Sequence, residues 1–214
     1  VSGRSGARPA AGGGRWVDVD PPRLTRWLDG FVQRHGSPET ESGLVITGAD
    51  GVTAELTPPP GVGPVATIDE LIAAAKLPHR IGLLLARRGA MAVGVAFGDE
   101  IEVSKVETFY VQGRTAAGGW SQQRYARRRD NQATAATEKA ADIVARVLLP
   151  SVTRITALVC GGDRPMIDAI LADRRLAPLL EHRDERFLEV AEPRFAVLEE
   201  AAKAARNTRI RLSD

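Results

Sequence analysis

Along the chain, apolar residues fall into blocks whose period switches between that of a helix and that of a strand. In RLTRWLDGFVQRHG, Leu24, Trp27, Leu28 and Phe31 recur at i, i+3, i+4 and i+7. That spacing puts them on one face of a helix, which Pro21 and Pro22 open and Gly36 stops. LVITGADGVTAEL then changes to two short alternating runs about Asp50-Gly51, the pattern of a β-hairpin. TPPPGVGP, residues 57–64, is stiff and poor in backbone donors and marks the expected internal boundary. A short helix in IDELIAAAK leads to three strands, RIGLLLAR, AMAVGVAF and EIEVSKVETFYV. The turns at Arg88-Gly89 and Gly98-Asp99 are tight enough to make these antiparallel neighbours.

Farther on, Ala133, Ala136, Ala140, Ile143 and Val147 line one face of a long helix that Pro150 ends. ITALVCGG is apolar throughout, as a strand covered on both faces would be. PMIDAILAD begins a helix with Pro165 near its first turn, where a missing N–H costs nothing. RFLEVAE is a last short strand and RFAVLEEAAKAAR a C-terminal helix. From residue 80 the predicted order is β-β-β-α-β-α-β-α, a three-strand meander followed by alternating units. The fold class is therefore α/β, a mixed sheet of the ribonuclease-H-like kind, with a small N-terminal α+β extension. The expected divisions are a flexible tail at 1–14, the helix-and-hairpin extension at 15–65, and the main domain at 66–214.

Composition narrows the chemistry more than it names it. The 214 residues are 43% hydrophobic and 26% charged, which suits a globular protein of one main domain. A net charge of +2 means that any affinity for nucleic acid must come from a local cluster. The single cysteine, Cys160, excludes an internal disulfide and reads as a buried thiol in its apolar run. His35, His79 and His182 have no metal-ligand spacing, and neither a metal nor a cofactor is expected. No apolar run approaches a membrane span and the first residues lack the apolar core of a secretory signal, so the expected location is the cytoplasm.

The candidate chemistry lies in RTAAGGWSQQRYARRRDNQ, residues 114–132, between the third strand and the long helix. Gly118 and Gly119 permit positive φ and a close backbone approach to a ligand. Ser121 suits a helix N-cap, the plain structural use of such a turn. Arg124, Arg127 and Arg128 share one helical face, Arg129 widens it, and Arg114 stands on the other arm of the loop. Such a cluster repels itself unless phosphates or carboxylates are close, and a phosphate backbone fits it well. Trp120 and Tyr125 add surfaces on which nucleobases stack, although Tyr125 equally suits anchoring of the helix start.

GGWSQQRYARRR resembles the Gly-Gly-Gln-Ser-x-x-Arg-Phe/Tyr-x-Arg pattern in the catalytic middle domain of archaeal and eukaryotic translation release factors. Gly118, Gly119, Ser121, Arg124, Tyr125 and Arg128 match its residue types, and Trp120 stands where that pattern has its glutamine. The departure is itself similar to the Vms/ANKZF-type release-factor-like hydrolases of ribosome quality control, in their actinobacterial version, whose glutamine is displaced to Gly-x-x-Gln. Gly119-Trp120-Ser121-Gln122 fits that arrangement. The resemblance implies hydrolysis of the peptidyl-tRNA ester on the large ribosomal subunit, with Gln122, or else Gln123, as the reacting glutamine. It implies ribosomal RNA and the tRNA as partners of the arginines.

Three other readings compete. A non-catalytic ribosome- or tRNA-binding protein would use the same loop and helix as an RNA clamp. A nuclease would use Glu100 and Glu102 on one strand face, with Asp99 and Glu107 nearby. The VCGGD turn at 159–163 would be a phosphate nest, though it lacks a full glycine-rich fingerprint.

Overall fold

The computed structural model describes residues 8–10, 13–38, 40–109 and 121–213, and for 40–42 and 121–133 the backbone path alone. In chain order the first elements are β1 (Arg8–Pro9), β2 (Arg15–Val19), α1 (Pro21–His35), β3 (Thr40–Ser42), β4 (Val45–Thr47), β5 (Thr53–Thr57) and α2 (Ile68–Lys76). The meander β6 (Arg80–Arg87), β7 (Ala90–Phe97) and β8 (Glu100–Thr108) follows. Then come α3 (Ser121–Leu148), β9 (Ala157–Gly162), α4 (Arg164–Leu171), α5 (Ala177–Leu180), β10 (Arg183–Leu188), α6 (Phe195–Ala205) and β11 (Thr208–Ser213). Residues 1–79 with 202–214 form one compact unit, and 80–201 form another.

The first unit is an antiparallel sheet in the order β1-β2-β11-β5-β4-β3. Helix α1 forms where the apolar spacing predicts it, and it buries Leu24, Leu28 and Phe31 against Val19, Ile46, Leu56, Ile210 and Leu212. Its chain stop is Gly36, at φ 81°, a conformation that needs no Cβ. His35 in the last turn pairs through Nδ1 with Asp50 Oδ2 at 2.8 Å, and this hydrogen bond holds the Asp50 carboxyl below its ordinary pKa. Helix α2 is capped at both sides of its entry. Thr67 Oγ1 accepts from the Glu70 N–H at 3.3 Å, while Glu70 Oε2 accepts from the Ala66 N–H at 2.7 Å.

Three expectations are corrected in this unit. The boundary falls at 79/80 and not at 65, because Ile68 and Leu71 of α2 are buried in the first core. Arg8 and Pro9 lie in the stretch expected as a tail, yet they pair with Trp16 and Arg15, since β2 would otherwise present an unpaired edge. The last residues return to complete the first unit: β11 lies between β2 and β5, with Ile210 facing Val17 on one side and Leu56 on the other. Its sequence TRIRLS does alternate, with Thr208, Ile210 and Leu212 buried.

In the second unit, the predicted element order is present, with the short α5 added. The sheet runs β10-β9-β6-β7-β8; β9 is parallel to both β6 and β10, while β6-β7 and β7-β8 are antiparallel. Strand β10 begins three residues before the predicted run at Arg186, because Arg183 already pairs with Leu158. One face buries Leu84, Met91, Val93, Leu158 and Cys160 beneath Ala140, Ile143, Val144 and Leu148 of α3 and Ile167 and Ile170 of α4. On the other face β7 presents Ala90, Ala92, Gly94 and Ala96. Gly94 is required there: an added Cβ would lie 3.0 Å from Leu198 Cδ2 of α6 and 2.8 Å from the Val103 oxygen.

Cys160 is 1% exposed, and its burial pushes the thiol up to a pKa of about 11. The thiolate is the reactive form, so a thiol-specific disulfide reagent at pH 8 is expected to leave the folded protein unmodified. The same reagent should label one thiol per chain once denaturant is added; rapid labelling of native protein would contradict the burial.

Candidate functional site

Because β8 runs parallel in direction to β6, β9 and β10, all four strands end at the same edge of the sheet. In open α/β sheets this carboxyl edge is where ligands collect, since helix N-termini and loops converge there. The chain leaves β8 at this edge, where the Phe109 N–H donates to the Gly89 oxygen at 2.7 Å. It re-enters described structure at Ser121, the first residue of α3.

The sequence-predicted site divides accordingly. Arg114, Gly118, Gly119 and Trp120 lie outside the described residues. Ser121, Gln122, Gln123, Arg124, Tyr125, Arg127, Arg128 and Arg129 occupy the opening turns of α3, where the structure describes the backbone. Gln122 and Gln123 are thus the second and third residues of a 28-residue helix, in the turn whose N–H groups have no intrahelical acceptor. Arg124, Arg127 and Arg128 keep the i, i+3, i+4 relation on an actual helix. The far half of α3 is held in the core through Ala140, Ala141, Val144 and Leu148, each at most 1% exposed.

Lys139 ties the flank of α3 to the end of β8. Its Nζ donates to Glu107 Oε1 at 2.8 Å and lies 6.0 Å from the Phe109 ring centre. That hydrogen bond, with a lesser one from Lys105, holds the Glu107 carboxyl below its ordinary pKa. The end of β8 is therefore fixed to the middle of α3, and the helix start at Ser121 lies roughly 25 Å of helix beyond that contact. No sequence signal pairs Lys139 with Glu107, because the two lie 32 residues apart.

Of the carboxylates in the competing nuclease reading, Glu102 and Glu107 are held in ion pairs. Glu102 accepts two hydrogen bonds from Arg80, at 2.8 and 2.7 Å, and these depress its pKa. The same guanidinium stacks on Phe97, 4.8 Å from the ring centre. Among the described residues no group of three or more His, Cys, Asp or Glu side chains stands together as a metal site. At the VCGGD turn, Asp163 Oδ1 accepts from the Met166 N–H at 3.2 Å. The start of α4 thus carries its own carboxylate cap where a phosphate nest would need open amides. Among the described residues no helix is long and apolar enough to cross a membrane.

Comparison with known proteins adds the family. The family model described as Actinobacteria/chloroflexi VLRF1 release factor matches residues 79–211. No curated protein matches the chain. Among solved structures, an archaeal translation termination factor, aRF1, is similar at 19% identity and a TM-score of 0.46, over 58% of this chain and 34% of that one. This chain thus spans about a third of that factor's length. A structure titled simply as an archaeal protein is similar at 12% identity and a TM-score of 0.40, over 86% of this chain and 69% of its own. S. cerevisiae Dom34, a translation termination-like factor involved in RNA quality control pathways and interacting with Hbs1, is similar at 9% identity and a TM-score of 0.36, over 92% of this chain and 66% of its own.

Proposed function

Because the chain belongs to the Actinobacteria/chloroflexi VLRF1 release-factor family, and is in that sense a release-factor-like protein of translation, we propose that it hydrolyses peptidyl-tRNA on the large ribosomal subunit and frees the nascent peptide. The observation that carries this reading is the sequence Gly-Gly-x-x-Gln with its following arginines, which lies within the matched span and runs into the start of the long helix α3.

In the proposed reaction a water oxygen attacks the carbonyl carbon of the ester that joins the peptide to the terminal ribose of the tRNA. The carbon–oxygen bond to the ribose breaks. One proton of the water passes to the ribose oxygen, the other is released to solvent, and the peptide leaves as a carboxylate. Gln122 is neither an acid nor a base near neutral pH, so its contribution is to orient the water through its amide. A backbone N–H beside it donates to the developing oxyanion. Gln123 takes that place if the helix begins one residue later. Arg114, Arg124, Arg127, Arg128 and Arg129 grip ribosomal RNA or the tRNA backbone, and Trp120 and Tyr125 offer stacking surfaces. Gly118 and Gly119 give the backbone room to approach the ester.

The test is single-turnover release: purified protein is added to large subunits that carry peptidyl-tRNA, and freed peptide is measured. Release above the uncatalysed rate supports the reading. Trp120 in the usual glutamine place favours one rival, an RNA clamp without chemistry. Salt-sensitive binding with no release from either large subunits or stalled ribosomes would establish the clamp instead.

A further inference from the structure

The described arginines of the second unit differ in what they reach. Arg80, Arg175, Arg183 and Arg194 each reach a carboxylate, at 2.7, 2.7, 2.6 and 2.9 Å respectively. Among the described residues Arg146, Arg154 and Arg174 make no such pair, and neither do three arginines at the carboxyl edge. Among the described residues no carboxylate comes within ion-pair distance of Arg87, Arg88 or Arg164, and all three are exposed. Two of the three are nevertheless held in place. Arg87 Nη1 donates to the Val190 oxygen at 3.0 Å, and the Arg164 guanidinium lies over the Phe187 ring, 4.1 Å from its centre. Contacts of this kind fix a guanidinium without spending its charge.

The three share one locality. The Asp163 N–H donates to the Ala86 oxygen at 2.7 Å, which sets the start of α4 beside the end of β6. Gly162 leaves room for the Arg87 stem, whose Cγ would lie 3.1 Å from an added Cβ. Arg88 and Gly89 form the next turn, and the Gly89 oxygen is the anchor of Phe109, the last described residue before 110–120. Among the described residues, the nearby acidic groups include Asp163, engaged as the cap of α4, Glu107, engaged by Lys139, and the exposed Glu189. Two held guanidiniums and the exposed Arg88 thus stand at an edge where, of these three carboxylates, only Glu189 is unengaged.

We infer that Arg87, Arg88 and Arg164 form a phosphate-binding shelf, which takes the phosphodiester backbone of an RNA beside the point where 110–120 leaves the sheet. The inference rests on the proposed reading for the identity of that RNA, either the acceptor arm of the tRNA or the adjoining ribosomal RNA. A planar, fixed guanidinium is suited to two oxygens of one phosphate, and a row of them follows a backbone without reading its bases. The shelf is separate from the arginines of α3, so it would orient the bound RNA from a second direction.

Binding without hydrolysis tests it. The full chain is titrated, at several salt concentrations, with an acceptor-stem RNA hairpin and separately with vacant large subunits. The double variant Arg87→Ser/Arg164→Ser is expected to raise Kd about tenfold and to reduce the salt slope by about two. Arg88→Glu, at an exposed turn, should weaken binding similarly and serves if the serine pair disturbs the fold. Arg175→Ser, which removes a carboxylate-paired arginine, should leave Kd unchanged. Loss on the hairpin assigns the shelf to the tRNA; loss confined to the subunit assigns it to ribosomal RNA. Unchanged Kd and slope on both RNAs would overturn the shelf, while the release assay stands or fails on its own.

Discussion

Replacing Gln122 by alanine is expected to lower the single-turnover rate of peptide release roughly 100- to 1,000-fold, the loss typical when one pre-positioned polar group of an ester-hydrolysing site is removed. Binding to the large subunit should stay within about twofold, because the arginines that hold RNA are untouched and phosphate contacts dominate such affinities. A change in rate without a change in binding marks a group that acts only in the transition state. Gln123→Ala is the paired experiment. If α3 begins as it does in the free protein, Gln123→Ala should fall only a fewfold, and the double variant should be no worse than Gln122→Ala. The reverse ranking would assign the reacting amide to Gln123. Full release by both single variants would sink the glutamine mechanism.

A second large effect is expected at Gly162, where the consequence is loss of the fold. This glycine sits at φ 99°, and an added Cβ would overlap the Ala86 carbonyl oxygen. That oxygen also accepts the Asp163 N–H, so the backbone cannot retreat without breaking the bond that begins α4. Gly162→Val combines a β-branched side chain at positive φ with a backbone overlap, and should cost about 3–5 kcal/mol of stability. Gly63→Ala is the contrasting control, with nothing within 4 Å and no positive φ; it should stay within about 0.5 kcal/mol. Urea unfolding midpoints compare the two. A Gly162→Val protein as stable as the parent would show that the turn has another conformation open to it.

The parts of this architecture that could be read from sequence are those in which a single physical signal dominates. RIGLLLAR and AMAVGVAF are apolar almost without interruption, bounded by a tight turn, and they appear as β6 and β7 with the predicted ends. Helix α1 follows its i, i+3, i+4 spacing because Leu24, Leu28 and Phe31 had one core to enter. Strands β2 and β11 were illegible for the opposite reason. In RWVDV and TRIRLS polar, charged or aromatic residues interrupt the apolar ones, and Val19, Ile210 and Leu212 are buried in a core that the pairing of these two strands helps to build. Their partnership joins Arg209 to Asp18, 191 residues away, a separation that no local window contains. The boundary was misplaced for a related reason: a proline-rich stretch signals a stiff connection, but Ile68 and Leu71 decide which core claims the helix after it.

The candidate site shows the same division. The glutamines and arginines at 122–129 stand out because charge and glycine crowd into one short stretch. Arg87, Arg88 and Arg164 do not, since two belong to a hairpin turn and one to a helix start with no motif around it. Only the register of β6 against β9 brings them to one edge.

The place of β11 has a consequence for how the protein is made. A ribosome delivers the chain from its beginning, so α1 and the β4-β5 hairpin emerge long before their sheet can be finished. Until residues 208–213 have emerged, the facing edges of β2 and β5 have no strand between them. The second unit has no such dependence within its own sheet, whose strands all lie between 80 and 188. The first unit to begin is thus the last to close, and an unfinished chain exposes two strand edges that would pair with whatever they meet.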